Sequence, residues 1–234
     1  MPASSGLYLI GHRGAAGHEP ENTLRSVEAA LRLGVDAVEV DVHAVDGRLV
    51  VIHDERLERT TNGHGRLADH TFAELRALDA GRGERIPTLD EVLDAVSGRA
   101  ELVVELKGAE SAAPVAALLR ARGRAADAVV VSSFDHVQLA RMRALLPEVR
   151  RGALVGGVPL GYAAFARDLG AHSVHMSAEF LRAPFVEDVH RRGMVVWAYT
   201  VNRRDDADRA RALGVDGVFS DVPDAIAESG RATA

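Results

Sequence analysis

The residues with the clearest chemical meaning lie in Ala37–His43, which reads A-V-E-V-D-V-H. Successive side chains of a strand point to opposite faces. Glu39 and Asp41 therefore share one face, with His43 next along it, and Val38, Val40 and Val42 share the other. Two carboxylates side by side repel each other and are costly to bury without a counter-charge. A divalent cation is the simplest remedy; pairing with arginines on a surface sheet is the plainer alternative. Glu105-Leu106-Lys107 repeats the alternate-position pattern. Glu39, Asp41 and Glu105, with no thiolate near, make a hard oxygen set suited to one Mg²⁺ or Ca²⁺. Arg13 and Lys107 add positive charge, and a metal cation with Arg and Lys around it describes a phosphate site. His12 and His53 are then available for proton transfer, because imidazole titrates near neutral pH. A lone histidine at a strand end is more often a plain hydrogen-bonding group. Two of them flanking a metal and phosphate site favour chemistry.

These side chains act together only if the chain folds to gather them. Leu33-Gly34-Val35-Asp36-Ala37-Val38, Leu169-Gly170-Ala171-His172-Ser173-Val174 and Leu213-Gly214-Val215-Asp216-Gly217-Val218 share one plan. A glycine follows a helical pattern, where a left-handed residue ends a helix cheaply, and a β-branched run begins. Repeated through the chain, this is the sequence form of alternating βα units and a parallel sheet. The strand expectations are Tyr8–Gly11, Ala37–Val42, Glu101–Leu106, Val129–Ser132, Arg151–Val155, Ser173–Met176, Val195–Tyr199 and Gly217–Ser220. Helical patterns between and after them fall near Leu24–Leu33, Leu89–Val96, Pro114–Arg122, His136–Leu145, Tyr162–Leu169, Pro184–Arg192, Asp205–Leu213 and Pro223–Glu228. Eight of each suggest an α/β fold, the (β/α)₈ TIM barrel. An open doubly wound sheet is the rival, but no G-x-G-x-x-G follows the first strand.

One region breaks the rhythm. Residues 46–87, between the second and third strands, are too long for one loop and helix. Asp46-Gly47 is a turn signal, Arg48–Ile52 reads as an added strand, and Thr71–Leu78 as a short helix with Glu74 completing its cap. Thr88-Leu89-Asp90-Glu91 resembles a second capping box. The expectation is a single domain over residues 1–234 carrying 46–87 as a small insertion, with a frayed tail after Gly230. Barrel active sites lie at the C-terminal ends of the strands. Gly11–Gly14, Glu39–His43, His53-Asp54 and Glu105–Lys107 all fall there, so a scattered surface network loses ground to a site.

Composition sets the bounds. The chain has 234 residues, enough for one α/β barrel or two small domains. Net charge is −6 and aromatics are 4%, which argues against a broad basic surface or base-stacking platforms for nucleic acid. There is no cysteine, which removes disulfides, thiolate metal sites and cysteine nucleophiles. The first residues carry no basic and apolar signal-peptide pattern, and no apolar stretch approaches a membrane span, so the expected location is the cytoplasm.

An ordered set of short motifs then gives a resemblance. It comprises H-R-G at His12–Gly14, P-E-N-T at Pro20–Thr23, E-V-D-V at Glu39–Val42, H-D at His53-Asp54 and R-T-T-N-G at Arg59–Gly63. It continues with I-P-T-L-D-E at Ile86–Glu91, E-L-K at Glu105–Lys107, S-S-F-D at Ser132–Asp135, T-V-N at Thr200–Asn202 and G-V-D-G-V-F-S-D-V-P at Gly214–Pro223. Over nearly its whole length the chain resembles the glycerophosphodiester phosphodiesterase family. The resemblance implies a (β/α)₈ barrel with a small insertion after the second strand and a divalent-cation-dependent phosphodiesterase. It implies that Glu39, Asp41 and Glu105 bind the metal, that His12 and His53 are the acid/base pair, and that Arg13 and Lys107 contact phosphate. The family usually has tryptophan directly before T-V-N. Here Tyr199 stands there, on the wall expected to meet the glycerol or head group, with Trp197 two residues earlier on the same face.

The remaining polar residues read as support. His43 and Glu21 point toward the region; Asn22 is either a group behind the site or a helix cap before Leu24, and Asn202 orients the same region. Ser132 and Ser133 lack a G-x-S-x-G elbow. His64, His70, His172, His175 and His190 read as loop or surface, with His175 the one that could line the mouth. The expected reaction is hydrolysis of a glycerophosphodiester to sn-glycerol 3-phosphate and an alcohol, either by water or, by resemblance to phosphoinositide phospholipases, through a cyclic phosphate. The expected partner is therefore a small-molecule substrate, with no nucleic acid, no stable membrane insertion, and self-association left open. A lysophospholipase D-type reaction on lysophospholipids is the alternative. A non-catalytic phosphate-binding barrel, and an isomerase or aldolase of the same fold, are weaker rivals; the last would want a Schiff-base lysine, and lysines are few.

Overall fold

The computed structural model describes residues 6–108, 110–123 and 127–227. Nine strands form one sheet: β1 (Tyr8–Gly11), β2 (Ala37–Val45), β3 (Arg48–Val51), β4 (Glu101–Leu106), β5 (Val129–Ser133), β6 (Arg150–Val155), β7 (Ser173–Ser177), β8 (Val195–Tyr199) and β9 (Gly217–Ser220). All but β3 run parallel in the order β1-β9-β8-β7-β6-β5-β4-β2, and β1 also pairs with β2, which closes an eight-stranded barrel. The helices of the described residues are α1 (Leu24–Arg32), α2 (Phe72–Ala77), α3 (Leu89–Val96), α4 (Ala112–Arg122), α5 (His136–Leu145), α6 (Ala164–Asp168), α7 (Ala183–Arg191), α8 (Arg204–Ala212) and α9 (Pro223–Ile226). The expected (β/α)₈ barrel is the fold.

Valine-rich strands with alternating destinies explain the layering. Val38, Val40 and Val42 of β2 point outward and join the large core shared with the helices. Ala37 points inward, into a cluster with Ile10, Val103, Val130, Trp197 and Phe219 that plugs the barrel below the site. By the same period Glu39 and Asp41 must also point inward, above that plug. Gly34, Gly170 and Gly214, after α1, α6 and α8, all have positive φ (71°, 58° and 81°), as the repeated helix-stop pattern requires.

Between β2 and α3 the chain doubles back. β3 pairs antiparallel with β2 from Val42↔Val51 to Val45↔Arg48. The following residues close over their own small core, which includes Leu57, Leu67, Leu75 and Ile86. Capping boxes start both α2 and α3: Thr71 with Glu74, and Thr88 with Glu91.

Several expectations need correction. Of the two readings of Asn22 the group behind the site holds and the helix cap does not: the N-cap of α1 is Thr23, whose side chain accepts from the Ser26 amide, and Asn22 turns inward onto Asp41. α6 begins at Ala164 rather than Tyr162, because residues 159–163 run as a turn whose Ala163 amide is held by Asp188 of α7. His175 is fully buried inside the barrel, not at the surface. Trp197 is inside too, stacked on Tyr8 at 5.5 Å and on His175 at 4.8 Å, below the mouth. α9 ends at Ile226; the expected extension to Glu228 and the tail after Gly230 lie outside the described residues.

Candidate active site

The site grows from the pairing of β2 with β4. Their register sets Asp41 opposite Glu105 and Glu39 opposite Val103, so three inward carboxylates rise together at the C-terminal end. Each offers an oxygen, and these oxygens lie within 4.8 Å of one another. Glu39, Asp41 and Glu105 are all buried. Burial and the neighbouring Asp41 charge raise the Glu39 pKa, and the same two causes raise that of Glu105. Burial acts against Asp41 as well, but Lys107 and Arg13 outweigh it and keep Asp41 low.

Counter-charge comes from two side chains. Lys107 Nζ is 2.5 Å from Glu105 Oε1 and 3.3 Å from Asp41 Oδ1. Burial disfavours its ammonium, yet Asp41 and Glu105 raise the pKa. Arg13 lies in the turn after β1 with φ of 53°, a left-handed conformation that costs a non-glycine residue on the order of 1 kcal/mol. That turn aims the Arg13 amide at Glu39 Oε2 (2.8 Å) and places its Nε 3.4 Å from Asp41 Oδ2. Asn22 also has positive φ (58°) and grips Asp41 twice: its Nδ2 donates to Oδ2 (2.9 Å) and its Oδ1 accepts from the Asp41 amide (3.1 Å).

The two histidines stand on different elements and are held alike. His12, after β1, meets Asp221 Oδ1 through Nδ1 at 2.6 Å; Asn202 Nδ2 donates to the other oxygen of Asp221 at 2.6 Å. His53, after β3, meets Asp54 Oδ1 through Nδ1 at 2.5 Å. In both rings Nε2 is left for a reacting group. Burial opposes a proton on His12, but the Asp221 hydrogen bond and the Glu39 charge outweigh it and raise the pKa. Burial wins at His53, where the pKa is lowered despite Asp41 and Asp54. His43 Nε2 donates to the His53 carbonyl at 3.1 Å, a supporting place.

One cavity of about 320 Å³ gathers His12, Arg13, Glu39, His53, Glu105, Lys107 and Tyr199, with Asp41 buried beneath. Tyr199 turns its hydroxyl to the Val155 carbonyl (2.9 Å) and its ring edge-on to Phe134, so it offers the cavity an aromatic face. Ser132, Phe134, Leu154, His175 and Phe219 complete the wall and floor. Sequence reading missed Asp221: the pairing of His12 with a residue 209 positions away leaves no local trace. It also gave Arg59 no role, although Arg59 donates to both Asp54 and Glu21.

The residues fit a divalent cation. Glu39 Oε1 is buried with no hydrogen-bond partner among the described residues, and the donor set is all oxygen. Burial and mutual repulsion resist ionisation of Glu39 and Glu105, and a divalent cation would let all three carboxylates stay charged.

A closed (β/α)₈ barrel that gathers two imidazoles and an acidic cluster at its C-terminal mouth has the arrangement of a barrel enzyme, whose active site lies at that end. Comparison with known proteins gives the family. Residues 12–225 match the Glycerophosphoryl diester phosphodiesterase family. A glycerophosphodiester phosphodiesterase of Caldanaerobacter subterraneus subsp. tengcongensis is 35% identical over 93% of this chain and 95% of its own. One of Bacillus altitudinis is 34% identical over 92% and 95%. A solved Oleispira antarctica phosphodiesterase, in complex with the product sn-glycerol-3-phosphate, superposes with a TM-score of 0.87 at 34% identity, covering 93% of this chain and 94% of that one. The chain belongs to the glycerophosphoryl diester phosphodiesterase family, and with it to the phosphoric diester hydrolases. No helix among the described residues is long and apolar enough to cross a membrane.

Proposed function

We propose that this protein hydrolyses glycerophosphodiesters to sn-glycerol 3-phosphate and an alcohol, with a divalent cation bound by Glu39, Asp41 and Glu105. The observation that carries the reading is the shared cavity of the acidic cluster and the two carboxylate-backed histidines. The Oleispira relative's product complex supports the identity of the product, and the relatives' names favour glycerophosphodiesters over lysophospholipids. We place the activity in one catalytic unit spanning the chain, with residues 46–87 as an insertion that supplies His53.

The roles follow from position. Arg13 and Lys107 receive the phosphate and offset the charge that builds on its oxygens. One of His12 and His53 takes the proton, through Nε2, from the attacking water or from the neighbouring glycerol hydroxyl, whose cyclic phosphate water then opens to glycerol 3-phosphate. The other gives a proton to the departing alkoxide. Asp221 and Asp54 fix the ring orientation and hold a proton on Nδ1, as a buried carboxylate does in an acid–base triad. Tyr199 and Phe134 bound the side where the glycerol or the leaving alcohol rests. When bound, Mg²⁺ or Ca²⁺ would keep the three carboxylates ionised, would add positive charge that suits a diester monoanion, and would act as a Lewis acid toward it.

The test is release of glycerol 3-phosphate from glycerophosphocholine, glycerophosphoethanolamine and glycerophosphoglycerol, with a lysophospholipid beside them. Hydrolysis of at least one diester is expected, lost in chelator and restored by Mg²⁺ or Ca²⁺. Full activity in chelator would remove the metal from the reading, and cleavage of the lysophospholipid alone would replace the substrate.

A further inference from the structure

Arg59 stands on the R-T-T-N-G loop of the 46–87 segment, outside the cavity, yet its guanidinium reaches the machinery from two directions. Nε donates to Asp54 Oδ2 at 2.5 Å, while Nη1 and Nη2 donate to the two oxygens of Glu21 at 2.7 and 2.8 Å. Asp54 holds His53. Glu21 Oε1 also accepts from Arg13 Nη1 at 2.8 Å. The unbroken sequence is His53–Asp54–Arg59–Glu21–Arg13, and Arg59 is the link between its halves. One half comes from the segment after β2, the other from the turn after β1; no backbone pairing between the ends of β1 and β3 holds them in register.

We propose that Arg59 is a positioning residue for the diesterase reaction, fixing the distance between the proton-transfer group His53 and the phosphate-binding Arg13. The proposal rests on the functional reading above. Only a guanidinium fits the post, because a planar fork can engage one carboxylate bidentately and a second along its Nε edge, whereas an ammonium is a point charge. The loop under it is anchored: Thr61 Oγ1 donates to the Leu57 carbonyl, and Gly63 sits so close to Leu78 that a Cβ there would fall 2.7 Å from its Cδ1. The Arg59 side chain is 47% exposed. Its partners Glu21 and Asp54 are only 19% and 28% exposed, so loss of this bidentate network costs some stability, and a fold-only role predicts that loss in melting with the turnover of the folded protein unchanged. A positioning role predicts a selective effect on turnover, since misplacing a reacting group by about 1 Å can cost ~10² in rate.

The experiment compares wild type, R59A and R59K in glycerophosphodiester hydrolysis with the metal present, alongside thermal melting. Wild-type turnover tests the functional reading by itself. Given that turnover, R59A is expected to keep its melting temperature within about 3 °C and to lose at least ~10-fold in kcat. Guanidinium ion at millimolar concentration should restore part of the loss, and R59K should stay well below wild type. An R59A kcat within twofold of wild type, an R59K at the wild-type level, or a loss that guanidinium leaves untouched each overturns the proposal. Should R59A not fold, E21Q carries the test: it keeps the shape but removes the charge shared by Arg59 and Arg13, and an unchanged kcat and KM in that variant overturns the proposal equally.

Discussion

Lys107 is the only lysine in the chain, among 28 basic residues that are otherwise arginine. That single ammonium sits between Asp41 and Glu105, a compact charge paired with both carboxylates. Its isolation makes it chemically addressable. An amine-acylating reagent can modify only Lys107 and the chain's α-amine, and intact mass counts the adducts. Burial alone would favour the neutral, reactive amine, but the two carboxylates hold the side chain charged and raise its pKa. Acylation near pH 8 should therefore add the α-amine adduct first and the Lys107 adduct slowly, with activity lost only as the second appears. Rapid double labelling without loss of activity contradicts the electrostatic account of this residue.

At the scale of elements, the inner wall of β6 and β7 is fitted to one side chain. A Cβ at Gly152 would fall 2.3 Å from His175 Cε1 and 2.4 Å from its Nε2. Gly152 is thus the space the His175 ring occupies, and its backbone conformation asks for no special freedom. Gly152→Ala should destabilise the barrel by roughly 1–3 kcal/mol through overpacking, read as a lower denaturant midpoint with unchanged slope; an unshifted midpoint would show that the ring moves aside freely. Most of the fold was readable at this scale. Valine runs bounded by a helix-ending glycine mark Ala37, Ser173 and Gly217 as strand starts without ambiguity, and the capping boxes at Thr71 and Thr88 mark α2 and α3. The acidic cluster was readable too, because the period of two that puts Val38 outside also puts Glu39 inside. What local pattern could not reveal was long-range partnership. Asp221 looks like the end of β9 until β9 is set beside β1, where its carboxylate meets His12. His175 resembles a solvent-facing residue because a polar side chain on the inner face of a closed barrel has the same alternation as one on the outer face of an open sheet. Asn22 preceded a helix, as a cap would, but Thr23 took that place and freed Asn22 for Asp41.

At the scale of the molecule, closing the sheet buries polar groups that an open sheet would leave wet, and His175 makes the consequence measurable. The ring is wholly inside, stacked near Trp197 and tilted against Phe219, with Ser173 Oγ 2.9 Å from Nε2. Among the described residues no carboxylate contacts it, and burial pushes its pKa down to about 3. In the unfolded chain the same imidazole titrates near 6.5. The sign follows: below that value the unfolded state binds a proton that the folded state refuses, so folding loses stability as pH falls from neutrality toward 3, while above about 7 the group contributes no pH dependence. At pH 5 the loss from this one residue is on the order of 2 kcal/mol. For a chain of this size that corresponds to about 4–8 °C in melting temperature. His175→Gln replaces the ring with a side chain neutral at every pH and leaves the other histidines in place. Its absolute stability is expected to be lower at pH 7.5, because the aromatic contacts are gone. The gap between wild type and variant should then narrow by that 4–8 °C on going to pH 5; melting curves whose separation stays constant across the range would mean that His175 is protonated within the folded barrel.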